Sequence, residues 1–153
     1  MAPSGGREGL IVLRSFGKFF GLAGLRLGGL LAPKALRDAL FRRLGHWPVS
    51  AAAMEIGARA YLDLEWQSET RERLMVASAR LNELLKTSGL QHVGGTHLYS
   101  LVETSDAYRL FEALAGLGIY VRRFGWSRSH LRFGLPQTAL EEERLRDALI
   151  LSA

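Results

Sequence analysis

Ser15-Phe16-Gly17-Lys18-Phe19-Phe20-Gly21-Leu22-Ala23-Gly24-Leu25-Arg26-Leu27-Gly28 is the stretch that decides how this chain is read. One lysine sits among apolar residues and glycines, with a serine three positions before it and an arginine eight after it. A lysine amine attacks an aldehyde only in its uncharged form, and apolar surroundings favour that form. An arginine presents a flat, permanently charged fork that matches a phosphate, and a serine hydroxyl adds a neutral hydrogen bond. Together the three side chains suit a phosphorylated aldehyde held by both ends. The plainer alternative is a basic, glycine-rich hairpin between two buried strands, with Arg26 in a surface ion pair and Ser15 as a turn residue.

Composition bounds what surrounds this motif. A chain of 153 residues, 48% hydrophobic and 23% charged, reads as globular, long enough for one compact domain or one and a half small ones. Cysteine is absent, which excludes disulfides and thiolate zinc sites and suits a reducing cytoplasm. The first nine residues are polar, and the apolar residues 10–13 that follow are too short for a signal-peptide core. No run approaches the roughly 20 apolar residues of a membrane span, so a soluble, cytoplasmic protein is expected. A net charge of +5 raises the question of nucleic acid, but the arginines are scattered through amphipathic segments with no block of like charge. Phosphate-bearing small molecules are the better match for that charge.

Outward from the motif, residues 10–14 form a short apolar run expected as a buried strand, and residues 25–31 resume as a second. Pro33 stands at a favourable first helical position, Ala35, Leu36, Ala39, Leu40 and Leu44 make a helical stripe, and Gly45 stops it. Trp47-Pro48-Val49-Ser50 breaks the pattern. Residues 51–87, with Leu62, Trp66, Leu74, Ala77, Leu81 and Leu84 at helical spacing, fit one bent helix or two, ended by Gly89. Beyond it, the predicted elements are a strand over 96–103, a helix over 106–116, a strand over 119–123 opened by Gly118, and a strand over 130–134. Thr138-Ala139-Leu140-Glu141 is a capping-box pattern that opens a final helix with Leu140, Leu145, Leu149 and Ile150 toward its inner face. Strands separated by helices argue for a layered α/β or α+β subdomain.

The lysine segment resembles the cofactor-lysine motif of the fold-type I pyridoxal-phosphate enzymes, in the aminotransferase class I/II branch. Within it, Ser15 to Gly28 looks most like the threonine-phosphate decarboxylases of cobalamin biosynthesis; histidinol-phosphate aminotransferases are similar but usually carry a serine where this chain has Gly17. The resemblance implies an α/β fold: residues 1–46 as a remnant of the large pyridoxal-phosphate domain, and residues 47–153 as a connecting helix and small C-terminal domain. It also implies Lys18 as the catalytic lysine that condenses with the cofactor aldehyde, and Ser15 and Arg26 as holders of the cofactor phosphate.

Two later arginines join this set through the same resemblance. Arg132, in Leu131-Arg132-Phe133-Gly134-Leu135-Pro136, looks like the family's late strand arginine that binds the substrate carboxylate, a pairing that fixes orientation as well as charge. Arg122, in Gly118-Ile119-Tyr120-Val121-Arg122-Arg123, matches a strand from which it would reach a substrate phosphate. Arg123 takes that role if the register shifts by one, because side chains alternate faces. The structural alternatives are a solvated edge residue for Arg132 and a half-buried Arg122 paired with Glu103 or Asp106.

Other chemistries find little support. The four histidines, His46, His92, His97 and His130, show no pair at metal-ligand spacing. Gly21, Gly24 and Gly28 do not spell a dinucleotide fingerprint, and Gly17-Lys18 lacks the flanking residues of a P-loop. Trp47, Trp66 and Trp126 read as packing anchors.

The similarity covers only the C-terminal portion of the family's proteins. The aspartate facing the pyridine nitrogen, the groups near the ring hydroxyl and the ring-stacking aromatic all precede the lysine by many residues in full-length relatives. No position here takes those roles, and without a carboxylate at the ring nitrogen the cofactor is a weak electron sink. The expected function is decarboxylation of threonine phosphate, with weak or absent catalysis by this chain alone. The rivals are a histidinol-phosphate-type aminotransferase and a non-catalytic module. Relatives are homodimers, so the same is expected of a full-length form.

Overall fold

Residues 12–15 and 28–31 meet as the two arms of an antiparallel hairpin in a computed structural model that describes residues 7–152; the polar opening at residues 1–6 lies outside the described residues. Strand β1 (Val12–Ser15) pairs with β2 (Gly28–Leu31), with Val12 opposite Leu31 and Ser15 opposite Gly28. The second arm starts at Gly28 rather than residue 25, because residues 23–25 wind into a single 3-10 turn. Pro33 precedes α1 (Lys34–Leu44) as its cap, and Gly45, at φ +71°, ends it. Ser50 caps α2 (Ala51–Leu62) by accepting a hydrogen bond from the Ala53 N–H at 3.1 Å. The α1 stripe is helical as expected, yet it buries nothing: Leu36, Leu40, Phe41 and Leu44 are all exposed.

The chain falls into two compact units, and the first ends at Leu64. Its buried residues are few. Phe16 and Ala32 come from the hairpin, and Ala53 and Gly57 from α2. Gly57 is where α2 meets the lysine loop. A Cβ there would run into the Leu27 side chain and sit 3.5 Å from the Phe16 ring, so the close approach suits a residue without one. Phe16 stacks on Phe20 with centroids 5.1 Å apart and meets Tyr61 edge-on at 5.0 Å. The two strands expected to be buried are largely open, with Ile11 and Leu13 exposed.

The long helical stretch is two helices. It breaks at Asp63, whose backbone (φ −79°, ψ 79°) leaves the helical region, and α3 runs over Leu64–Thr87. Leu62, placed on the sequence stripe, is exposed beside the break.

The second unit is built on a four-stranded, wholly antiparallel sheet in the order β3-β4-β6-β5. Its strands are β3 (Gln91–Thr96), β4 (Tyr99–Glu103), β5 (Arg122–Phe124) and β6 (Ser127–Gly134). Two hairpins therefore flank α4 (Ala107–Gly116), and of the layered α/β and α+β arrangements expected for this part the antiparallel α+β one is present. What read as one strand over 96–103 takes in the last residue of β3, the turn and the whole of β4, and the rest of β3 is the arm the sequence hides. The turn is tight, since a Cβ on Gly95 would strike the Tyr99 carbonyl oxygen.

One face of this sheet carries the core. Val102 from β4 and Leu131 and Phe133 from β6 pack with Leu81 and Leu85 of α3, Leu114 of α4 and Leu145 and Leu149 of α5 (Ala139–Leu151). Leu140 and Ile150, expected on the inner face of α5, are exposed, because the buried stripe runs through Leu145, Ala148 and Leu149. Helices α3 and α4 end alike. The Gly89 N–H bonds to the Lys86 carbonyl and the Leu90 N–H to that of Leu85; Gly118 and Ile119 repeat the pattern on Ala115 and Leu114. Both glycines have φ near +70 to +80°, the left-handed cap that an L side chain resists. Gly118 thus closes α4 rather than opening a strand, and β5 starts at Arg122. Thr138 caps α5 by accepting from the Glu141 N–H at 3.1 Å, while the Glu141 carboxylate accepts from the Gln137 N–H at 2.6 Å.

Candidate active site

The hairpin ladder gathers the three residues of the lysine motif onto one loop. Ser15 ends β1 opposite Gly28, and the Phe16 N–H reaches the Leu27 carbonyl at 3.4 Å, so the two arms stay together at the loop's base. Ser15 and Arg26 flank that base. Within the loop, the Leu22 N–H bonds to the Phe16 carbonyl at 2.9 Å, and the Gly21 N–H closes a turn on the Lys18 carbonyl at 3.0 Å. Gly21 takes φ +68°, a conformation that favours glycine.

Each motif side chain has a defined local setting. Ser15 Oγ accepts a hydrogen bond from the Gly17 N–H at 3.1 Å, leaving its own proton to donate elsewhere. The turn role envisaged for Ser15 is therefore present. Arg26 sits in the left-handed region at φ 52°, and one of its terminal nitrogens donates to the Ala23 carbonyl at 3.2 Å. A non-glycine residue held there costs about 1–2 kcal/mol, a local strain of the kind that gathers at functional sites. Arg26 makes no ion pair among the described residues. The apolar character read from the motif belongs to Phe16, which is buried on the inside of the loop, whereas Lys18 and Arg26 lie outside and are exposed.

The second unit places the other two arginines together. Arg122 of β5 is directly opposite Arg132 of β6, and opposed residues of an antiparallel pair share a face. That face is the one away from the core, since the flanking Leu131 and Phe133 are buried. Arg123 lies on the other face, with its guanidinium carbon 5.1 Å from the Phe111 ring centroid and 5.5 Å from that of Tyr108. Register thus separates the two neighbouring arginines. The expected half-buried pairing of Arg122 is absent: Arg122 is exposed, Asp106 caps α4 by accepting from the Arg109 N–H, and Glu103 accepts from Ser129 Oγ. Two like charges directly opposite each other are unfavourable in a sheet unless an anion joins them.

Sequence reasoning passed over two features. Tyr99 on β4 lies against Arg132, with the guanidinium carbon 4.9 Å from the ring centroid. His130, opposite Glu103, is held through its Nδ1 by Ser127 Oγ at 2.7 Å and Ser129 Oγ at 3.1 Å. The alternation of Tyr99, Leu101 and Glu103 was the only signal of the first. Among the described residues no group of three His, Asp or Glu side chains is arranged to hold a metal ion.

Comparison with known proteins gives a consistent picture. The family model for aminotransferase class I and II matches residues 3–149. A threonine-phosphate decarboxylase from Pseudomonas aeruginosa is 43% identical over 150 residues, covering 98% of this chain and 45% of that protein. Another from Sinorhizobium sp is 40% identical, covering 94% of this chain and 43% of that protein. A histidinol-phosphate aminotransferase from Legionella pneumophila is 32% identical, over 82% of this chain and 36% of that protein. The chain thus spans less than half the length of these relatives. Among solved structures, histidinol-phosphate aminotransferase from Sinorhizobium meliloti in complex with pyridoxal-5'-phosphate superposes with a TM-score of 0.82 at 21% identity, over 93% of this chain and 40% of that one.

Proposed function

Because this chain belongs to the aminotransferase class I and II family, we propose that it supplies the lysine-bearing part of a pyridoxal-phosphate-dependent decarboxylase acting on threonine phosphate. On this reading residues 1–46 correspond to the end of the large cofactor domain, and residues 47–153 to the connecting helix and small C-terminal domain. The observation that carries it is the single hairpin loop presenting Ser15, Lys18 and Arg26. One amine, one hydroxyl with a free proton and one guanidinium match the aldehyde and phosphate ends of pyridoxal phosphate. When bound, that cofactor supplies an electron sink for the pair of electrons left on the α-carbon.

The chain's own residues then have separable tasks. Ser15 and Arg26 hold the phosphate, and Lys18 holds the aldehyde end and moves a proton at the substrate α-carbon. Arg132 takes the substrate carboxylate by two parallel N–H bonds, fixing which bond stands perpendicular to the ring plane. Arg122, opposite it, takes the substrate phosphate, and a doubly anionic substrate relieves the repulsion between the two guanidinium groups. The product is an aminopropanol phosphate with release of carbon dioxide, the step expected for corrinoid side-chain synthesis. We place it in the cytoplasm and in a homodimer; no described helix is long and apolar enough to cross a membrane.

The second reading is a histidinol-phosphate-type aminotransferase, favoured by the Legionella relative. Gly17 weighs against it. A Cβ there would sit 3.2 Å from Ala23 Cα and 3.4 Å from Ala23 Cβ, leaving little room for the serine usual before the lysine in that group. The test is a chimera joining this chain to the part of the Pseudomonas relative that it does not cover. Carbon dioxide release from carboxyl-labelled threonine phosphate, without any keto acid and lost in Lys18→Ala, is the expected result. Strict demand for an amino acceptor, with histidinol phosphate as the better donor, would establish the second reading instead.

A further inference from the structure

We infer that Tyr99 is a positioning residue for Arg132, holding its guanidinium aimed, with its N–H edge open to an acceptor, on the open face of the second unit's sheet. This rests on the reading of Arg132 as the substrate-carboxylate group. The ladder explains how the two meet. Tyr99 is opposite Gly134 and Leu101 is opposite Arg132, so Tyr99 is the diagonal neighbour of Arg132 on the same face. The position facing Tyr99 carries no side chain of its own, and the guanidinium carbon lies 4.9 Å from the ring centroid. On the other flank Arg122 faces Arg132 from β5, and repulsion between the two charges acts in the same direction as attraction to the ring.

The kind of partner matters. A carboxylate would also fix Arg132, but it would neutralise the charge and occupy the N–H edge that a bidentate acceptor needs. An aromatic ring engages the face of a guanidinium and leaves its in-plane donors free. The acidic residue on this face, Glu103, lies opposite His130 and accepts from Ser129 Oγ at 3.3 Å; Arg132 makes no ion pair among the described residues. Arg132 is only half-buried, and confining a long side chain there costs rotamer entropy, which the contact with the ring offsets.

The experiment uses the complete 153-residue chain and two readouts. In the first, the Nε–Hε resonance of Arg132, assigned by its loss in Arg132→Gln, is compared with that of exposed Arg128. A ring-current displacement is expected in the parent and in Tyr99→Phe, and its loss in Tyr99→Leu. An Arg132 resonance in the parent that coincides with Arg128 overturns the inference without any variant. In the second, O-phospho-L-threonine is titrated into each chain at fixed pH and salt. Tyr99→Leu is expected to weaken binding roughly three- to thirtyfold, the range of a cation–π contact, and Tyr99→Phe by less than about twofold. Parent-like affinity in Tyr99→Leu, alongside weakened Arg132→Gln, overturns the role of Tyr99. Parent-like affinity in Arg132→Gln, or no binding by the parent, overturns the reading of Arg132 itself, and the resonance then decides Tyr99 independently.

Discussion

The two units differ in how much of their apolar surface they bury within themselves. In the second, Val102, Leu81, Leu85, Leu114, Leu131 and Phe133 are essentially closed off, drawn from two helices and two strands around one centre. In the first, Phe16, Ala32 and Ala53 are the only buried apolar residues among those described, while Leu13 is 77% and Phe41 67% exposed. The unit with the arginine pair is a scaffold in its own right. The unit with the lysine is a hairpin and two helices whose order rests on a few aromatic contacts. Local stability follows buried apolar contact, so the lysine loop opens at a lower free energy than the sheet that carries Arg122 and Arg132.

Phe133→Ala is the strongest way to break this contrast. Phe133 is 1% exposed, and its truncation should cost about 3–5 kcal/mol, melting the second unit while loop amides such as that of Leu22 exchange as before. Phe16→Ala tests the other side. It removes the stacking on Phe20 and the edge contact with Tyr61, and should cost about 3 kcal/mol in the first unit alone, read as faster exchange of the Leu22 amide with the second unit's melting unchanged. If both substitutions lowered one shared transition equally, the units would not be energetically separate.

Smaller effects sharpen the picture. Gly118→Ala forces a side chain into φ +71° and against the Arg144 guanidinium, so about 1–2 kcal/mol should be lost in the second unit's chemical denaturation. Ser50→Ala removes the cap of α2, the helix that carries Gly57 against the lysine loop. It should cost about 1 kcal/mol, read in the exchange of the first turn of that helix.

What was legible in the sequence divides along physical lines. The helices, their caps at Gly45, Gly89 and Thr138, and the lysine motif were readable because periodicity and local hydrogen bonding are short-range properties. Strand β3 was not, because Gln91-His92-Val93-Gly94-Gly95-Thr96 is an edge strand with little buried surface and two glycines. The break between α2 and α3 falls at Asp63, which carries no glycine or proline signal. The α1 stripe misled in another way: periodicity tells which face of a helix is apolar, and nothing in it says whether that face is covered. For the candidate site, the motif named Ser15, Lys18 and Arg26, but only the register of β5 against β6 could distinguish Arg122 from Arg123. Tyr99 was not legible, because a diagonal contact between β4 and β6, strands far apart in the chain, leaves no local trace in sequence.

The central claim is that Lys18, rather than any other amine, takes the aldehyde of pyridoxal phosphate. Besides the N-terminus, the competing amines are Lys34, which is ion-paired to Asp38 at 2.6 Å, and Lys86. Incubation of the chain with a stoichiometric amount of cofactor, borohydride reduction and peptide mapping by mass spectrometry would locate the bond. The expected outcome is a phosphopyridoxyl label concentrated on the peptide containing Lys18, with its yield falling sharply in Arg26→Gln. A label spread evenly over Lys18, Lys34 and Lys86, indifferent to Arg26, would contradict the account.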